Sequence, residues 1–271
     1  MNYNYHTHTF RCRHASGTPE EYIQRAIQGG IKYMGFSDHF PFAFPDGRES
    51  GYRVPIAEVK DYFSELNVLR EKYRDQIDIK IGFEMEYYPT YFDDMLNNAV
   101  AYGAEYLILG QHFIGEEYPN GMPSGRGTKE IAHLQEYVSC VVSAIQSGAF
   151  TYVAHPDIFV FQGEQAVYDR EMRKICQASK EYNVPLEINF LGIRETRFYP
   201  HEEFWKIAGE VGAPVTFGCD AHTVQSACDP ESVEKAKQLV QKYHLNYIGM
   251  PNLRFIQVLY PSVIDYISQE E

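Results

Sequence analysis

Nine imidazole and carboxylate residues recur where short apolar runs end, and their chemistry is that of divalent-metal ligands. His6 and His8 follow the run 1–5, His39 follows 33–36, Glu84 follows 79–83 and His112 follows 106–109. His155 follows 152–154, Asp220 and His222 follow 215–217, and His14 stands just downstream of the first pair. Neutral imidazole and carboxylate suit borderline ions such as Zn²⁺, Mn²⁺ and Fe²⁺, and a carboxylate can bridge two of them. His6 and His8 are two residues apart, so on an extended segment both rings point to one side, and Asp220 and His222 repeat that spacing. Taken singly, each histidine reads as a satisfied core or surface residue. Seven imidazoles and two carboxylates gathered at strand ends read as a multinuclear metal site instead. His133, His201 and His244 fall on expected helices away from that rim.

For such residues to meet, the runs before them must be parallel strands with a common ligand-bearing end. Strand-like and helix-like segments do alternate along the chain. Thr18-Pro-Glu-Glu opens a helix to about Gly29, with Thr18 as N-cap and Pro19 in the first turn. Strands are expected at 32–36, 77–83, 105–109, 150–154, 185–189 and 214–218. Helices are expected at 55–73, 91–102, 129–147, 168–182, 201–211 and 230–243. The run 247–249 is either an eighth strand or a closing segment. Seven or eight β/α units with no linker imply one α/β barrel of the TIM-like kind over residues 1–271, a single domain. In a closed barrel the first and last strands are neighbours, so His6 and His8 would face Asp220 and His222. Residues 40–54 and 113–128 are longer than ordinary βα loops, and both follow proposed ligands, so they are expected to overhang the rim or to be surface decoration.

Composition narrows the partners. The net charge of −13 disfavours long nucleic acid, and no Lys/Arg cluster offsets it, whereas bound cations would still admit a small phosphorylated metabolite. With 44% hydrophobic residues the chain can build a large core, and it has no apolar stretch long enough to span a membrane. The N-terminus does not read as a signal peptide. Cys12, Cys140, Cys176, Cys219 and Cys228 form no C-x-x-C pair, which fits a reducing cytoplasm. Cys12 and Cys219, beside proposed ligands, read as buried bystanders. The single Trp205 and the 22 tyrosines mark no obvious interface, so the oligomeric state is left open.

His6-Thr-His8, His14, Ser37-Asp-His39, Glu84, His112, His155-Pro and Asp220-Ala-His222 together resemble the ordered motif set of the PHP (polymerase and histidinol phosphatase) family. The resemblance covers nearly the whole chain. It implies a distorted (β/α)7 barrel that holds two to three divalent transition-metal ions (Zn, Mn or Fe). By that resemblance His6, His8, Glu84 and Asp220 would bind one ion. Glu84 would bridge to a second held by His112 and His155, and His14, His39 and His222 would hold a third. Gly35-Phe-Ser-Asp-His39, Gly82-Phe-Glu84 with Glu86, Gln111-His-Phe, Leu186-Glu-Ile-Asn189 and Arg194-Glu-Thr-Arg197-Phe-Tyr-Pro200 are similar to the histidinol-phosphate phosphatase branch.

The implied reaction is hydrolysis of the phosphomonoester L-histidinol phosphate, by attack of a metal-bridging hydroxide while paired ions neutralise the phosphoryl oxygens. Glu84, Asp220 and His222 are the expected catalytic residues, with Asp220 or His222 handling the leaving-group proton. Asp38 either orients an imidazole or caps a strand end. Arg194 and Arg197 suit bidentate phosphate binding, Arg197 the more so because a defined Phe-Tyr-Pro follows it. Glu116 or Glu117 would meet the substrate ammonium. Glu187 and Asn189 either line the pocket or pack in the barrel. Competing readings are a phosphodiesterase or exonuclease, a nucleotide or phosphotyrosine phosphatase, and a non-enzymatic metal-binding domain. The acidic charge weighs against the first, and the complete ligand set against the last.

Overall fold

Eight parallel strands form one curled sheet, and the order along it follows the chain almost without exception. The structure, a computed structural model, describes residues 1–261, so 262–271 of the expected domain lie outside the described residues. The sheet runs β1 (Tyr3–Asn4), β2 (Tyr33–His39), β3 (Asp78–Met85), β4 (Leu107–Leu109), then β7 (Phe150–Val153), β8 (Leu186–Asn189), β9 (Pro214–Gly218) and β10 (Asn246–Tyr247). A small antiparallel hairpin, β5 (Phe113–Ile114) with β6 (Met122–Pro123), interrupts that sequence inside the expected long loop. The crossovers are α1 (Pro19–Gln28), α2 (Val59–Tyr73), α3 (Phe92–Tyr102), α4 (Ile131–Ser147), α5 (Gln165–Tyr182), the short α6 (Phe190–Glu195) followed by α7 (Glu202–Val211), and α8 (Pro230–Lys242). A last turn of helix, α9 (Ile256–Leu259), follows β10.

Local chemistry sets these boundaries. Thr18 and Glu21 form a reciprocal capping box with Pro19 in the first turn of α1, as its sequence requires. Asp229 caps α8 through the Ser232 N–H, again with proline next. Strands buried on both faces read as unbroken apolar runs, and β4 shows why: Leu107 and Leu109 join the outer core against the helices, while Ile108 points into the barrel. Inside, Ile108 packs with Tyr3, Tyr5, Tyr106, Tyr152 and Ala154.

The barrel closes differently from a simple ladder between first and last strands. β9 pairs with β8 on one side and with β10 on the other, and β1 pairs with β2 alone. Side chains stitch the remaining seam. Asn4 Oδ1 accepts from the Cys219 N–H at 3.2 Å, and the Tyr3 hydroxyl accepts from the Phe217 N–H at 3.3 Å and meets Thr216 Oγ1 at 3.0 Å. Only at the ligand rim does backbone meet backbone, through a parallel bridge between Thr7 and Ala221. There His8 N donates to Ala221 O at 3.0 Å and Ala221 N donates to His6 O at 3.1 Å. That bridge sets His6 and His8 opposite Asp220, the juxtaposition expected from the sequence.

The remaining departures are local. The run at 247 is an eighth strand, though a peripheral one on the edge of β9. α5 begins at Gln165, earlier than expected, and α6 was not expected. Asn189 at the end of β8 nucleates α6 by accepting the Gly192 N–H at 3.2 Å. The 40–54 loop is anchored by a bridge between Ala43 and Glu49 and by the buried Arg53.

Candidate metal centre

Six strands of the sheet bring their candidate ligands to the same rim. His6 and His8 lie on the extension of β1, His39 is the last residue of β2, and Glu84 stands within β3, one residue from its end. His112 follows β4, His155 follows β7, and Asp220 and His222 follow β9. His155 and Asp220 adopt left-handed backbone, with φ of 31° and 45°. For residues other than glycine such geometry costs about 1–3 kcal/mol and persists where the surroundings impose it, often at functional sites. Arg194 supplies part of that restraint, donating to the carbonyls of Cys219 at 2.8 Å and Asp220 at 3.0 Å.

The donors converge on shared space. His6 Nε2 is 3.5 Å from Glu84 Oε2 and 3.6 Å from Asp220 Oδ1, and His8 Nε2 is 3.5 and 3.3 Å from the same two oxygens. His155 Nε2 and His112 Nε2 approach the other Glu84 oxygen at 2.9 and 3.5 Å, and His39 Nδ1 lies 3.1 Å from Oε2. His14, His39 and His222 form a further trio, with donor atoms within 4.8 Å of one another. Glu84 therefore sits between two groups of imidazoles, where a bridging carboxylate would sit.

Two observations show that this donor set fits cations. His6 Nε2, His8 Nε2, His39 Nδ1, Glu84 Oε2 and Asp220 Oδ1 are buried without a hydrogen-bond partner, a cost that folded proteins rarely leave uncompensated. His14 Nδ1 lies 2.7 Å from the Cys12 carbonyl and His222 Nδ1 lies 3.2 Å from the Asp220 carbonyl, so both must carry protons to donate there. Their Nε2 atoms then present lone pairs to each other at 3.0 Å. Lone pairs so close repel unless a positive charge lies beside them.

A layer of fixed acceptors orients the ligands. His6 Nδ1 faces Glu187 Oε1 at 2.8 Å, His112 Nδ1 faces Glu86 Oε1 at 2.9 Å, and His8 Nδ1 faces Asp38 Oδ1 at 3.4 Å. Such carboxylates set the tautomer that leaves Nε2 free for a metal. Asp38 also accepts the N–H groups of His39 and Thr9, at 2.9 and 3.0 Å, so it both orients a ring and fixes a strand end. Glu187 further accepts from the His155 N–H at 3.1 Å, and Asn189 Nδ2 bridges Glu187 and Asp220 at 2.8 and 3.1 Å. Glu187 and Asn189 thus work beneath the ligands and do not line the cavity. Glycines make room: a Cβ on Gly110 would lie 2.0 Å from Glu84 Oε1, and one on Gly218 would lie 1.6 Å from Glu187 Oε1.

Electrostatics follow from burial and neighbours. Burial works against ionised Glu84 and Asp220, but the surrounding imidazoles override it and hold both carboxyls well below the usual range. Burial likewise opposes charge on His8, yet Asp220, Asp38 and Glu84 lift it to about 9. His39, buried and beside His8, is pushed down to about 3. The acidic neighbours thus favour positive charge at His8, while burial and His8 keep His39 neutral. Burial pushes the Cys12 and Cys219 thiols up, which keeps them protonated bystanders.

Above the cluster opens a cavity of about 500 Å³. His14, His39, His112, His155, His222, Glu84 and Asp220 make its floor, Tyr52, Phe113 and Tyr199 its aromatic walls, and Glu195 and Arg197 add charge. The two long loops meet here, with the rings of Tyr52 and Phe113 stacked at 6.4 Å. The expected substrate residues divide. Arg197 lines the cavity; Arg194 does not, because Asp229 and the strand-end carbonyls occupy its guanidinium. Glu116 is turned away to accept the Thr90 N–H at 2.7 Å, and Glu117 pairs with buried Arg53 at 2.9 Å, so neither carboxylate lines the cavity. Sequence reasoning passed over Tyr52, and it placed Phe113, Glu195 and Tyr199 in motifs without giving them a place in the cavity. It also gave no role to Arg53, which holds Glu86 at 2.8 Å. The Glu84-x-Glu86 alternation was the one available signal, since residues two apart on a strand share a side.

A parallel barrel with this rim defines a class of metal-dependent PHP-type domain, and the PHP domain model matches residues 4–190. The chain belongs to the PHP domain family. Among curated relatives, the histidinol-phosphatase of Lactococcus lactis subsp. lactis is 26% identical, over 88% of this chain and 90% of that protein. The histidinol-phosphatase of Bacillus subtilis is 27% identical, over 80% of this chain and 92% of that protein. The solved structure of the Lactococcus lactis histidinol phosphate phosphatase, in complex with Zn, L-histidinol and phosphate, has the same fold. Its TM-score is 0.68 at 23% identity, covering 91% of this chain and 95% of that one.

Proposed function

We propose that this chain is a metal-dependent phosphomonoesterase that hydrolyses L-histidinol phosphate to L-histidinol and phosphate, a cytoplasmic step of histidine biosynthesis. One observation carries the chemistry. Buried, unpartnered donors of His39, Glu84 and Asp220 lie in the floor of a cavity whose wall holds Arg197, with those of His6 and His8 beside them. The two curated relatives named above, both histidinol-phosphatases, support the choice of substrate.

His6, His8, Glu84 and Asp220 would hold one divalent ion, Glu84, His112 and His155 a second, and His14, His39 and His222 a third, with Zn, Mn or Fe as candidates. Bound there, such ions supply Lewis acidity toward phosphoryl oxygens and acidify water near neutral pH. The chain's own residues do the rest. Glu84 and Asp220 stay ionised and keep the floor anionic, so that it retains cations. Glu187, Glu86 and Asp38 keep the imidazole Nε2 atoms turned toward the floor. Arg197 offers a planar pair of donors to the phosphate. Tyr52, Phe113 and Tyr199 exclude bulk water from the reacting ester. Asp220 or His222, at the edge of the floor, would take the proton released by the attacking water and return it to the leaving alkoxide.

The test is a substrate panel with metal-loaded protein: histidinol phosphate, a nucleoside monophosphate, a phosphotyrosine peptide and single-stranded DNA. Preferred turnover of histidinol phosphate is expected. Equal turnover across the panel would remove the substrate assignment and leave the hydrolase class.

A further inference from the structure

Outside the metal cluster, the charged residues lining the cavity among those described are Glu195 and Arg197. They face each other: Arg197 Nε and Nη2 lie 2.8 and 2.6 Å from Glu195 Oε2, while Nη1 donates to the Tyr199 hydroxyl at 3.2 Å. About half of each side chain is open to solvent. Exposed ion pairs are worth little, because water screens them and two long side chains must be ordered, so exchanging partners costs little.

Resting on the reading above, we propose that Glu195 is the specificity-determining residue of the site and binds the ammonium group of an amino-alcohol phosphate. Such a substrate carries its phosphate and ammonium on neighbouring carbons and is itself a close pair of opposite charges. Glu195 and Arg197 form the complementary pair, two residues apart on one short segment. Arriving phosphate competes for the Arg197 guanidinium, which frees the Glu195 carboxylate next to it for the ammonium. The other acidic groups are unsuited to this role. Glu84 and Asp220 belong to the cation-binding floor, and Glu116 and Glu117 point elsewhere. Because Tyr199 also holds Arg197, the guanidinium keeps a partner when Glu195 lets go.

The arrangement predicts discrimination by charge. A phosphomonoester lacking the ammonium can use Arg197 and the floor but leaves Glu195 with nothing to bind, whereas the amino-alcohol ester satisfies both residues. Once a substrate seated over Arg197 covers this wall from water, a charge-assisted hydrogen bond from its ammonium to Glu195 is strong enough for about a tenfold preference from this contact alone.

The experiment compares metal-loaded wild type with Glu195→Gln and Glu195→Lys. The first readout is the ratio of kcat/KM for histidinol phosphate to kcat/KM for phenyl phosphate. The ratio cancels any effect of Glu195 on how Arg197 meets phosphate. It is expected to fall about tenfold in Glu195→Gln and further in Glu195→Lys. The second readout is the Kd of L-histidinol by calorimetry, which is expected to weaken by a similar factor and needs no turnover. A ratio and a Kd that both stay within twofold of wild type would overturn the role of Glu195, while the substrate assignment stands on the wild-type preference. Wild type that does not prefer histidinol phosphate would instead remove that assignment, and this inference with it.

Discussion

Replacing Arg53 with methionine tests whether a buried cation ties the overhanging loops to the metal rim. The guanidinium is 1% exposed and donates to the Phe40 carbonyl at 3.1 Å, Glu86 Oε2 at 2.8 Å, Glu117 Oε2 at 2.9 Å, and the hydroxyls of Tyr52 and Tyr88 at 2.9 and 3.2 Å. Methionine keeps much of the apolar stem but leaves Glu86 and Glu117, 1% and 12% exposed, without their cation. Hydrogen bonds between charged groups are worth about 1.5–3 kcal/mol each, and two are lost. Removing one partner of a buried pair costs about 3–5 kcal/mol by an independent route. The two agree on a loss of about 3–5 kcal/mol, a large part of the roughly 5–15 kcal/mol that holds a typical domain folded. Urea denaturation of metal-depleted protein reads this directly, as a lower midpoint at unchanged slope. Lysine should recover part of the loss, because one ammonium cannot reach all five acceptors. Since Glu86 also orients His112, metal affinity should fall as well. A loss below about 1 kcal/mol in Arg53→Met would refute the reasoning, because no buried charge would then have been left unpaired.

The other predictions probe the floor and the wall. Asp220→Asn or His8→Ala should abolish turnover and lower metal content by elemental analysis; active protein with unchanged stoichiometry would contradict both roles. Glu187→Gln should weaken metal binding about 10–100-fold in competition with a chelator while the far-UV spectrum stays native, because an amide cannot accept from His6, His155 and Asn189 as a carboxylate does. Gly110→Ala puts a methyl group where Glu84 Oε1 lies, so metal stoichiometry should drop even though no ligand is changed; full loading would show that Glu84 has room to move. Arg197→Ala should raise KM or lower kcat/KM without removing metal, and an unchanged kcat/KM would exclude it from phosphate binding.

Much of this protein can be read from its sequence, for a physical reason. In a parallel barrel every strand ends at the same rim, so an imidazole or carboxylate closing an apolar run has its position set by periodicity alone. His6-x-His8 shows this, because the two-residue period of extended chain puts both members on one side; Asp220-x-His222 has the same spacing, but its turn through left-handed backbone at Asp220 was visible only in the fold. Helix starts are equally local: Thr18-Pro19 with Glu21, and Asp229-Pro230, carry their own caps.

Tertiary structure decided whatever depends on where a long side chain finds a partner. Arg194 and Arg197 are both arginines near the end of α6, and the sequence offers no ground for sending one to the Cys219 and Asp220 carbonyls and the other into the cavity. Glu117 was expected at the substrate but lies against Arg53, 64 residues away in the chain. The seam at β1 is a further case, since β10 takes the free edge of β9, and Tyr3 and Asn4 must replace a ladder with side-chain hydrogen bonds. Strand ends are placed by backbone geometry, which local sequence encodes. Flexible charged side chains are placed by a competition among distant partners, and only the folded chain brings those partners within reach.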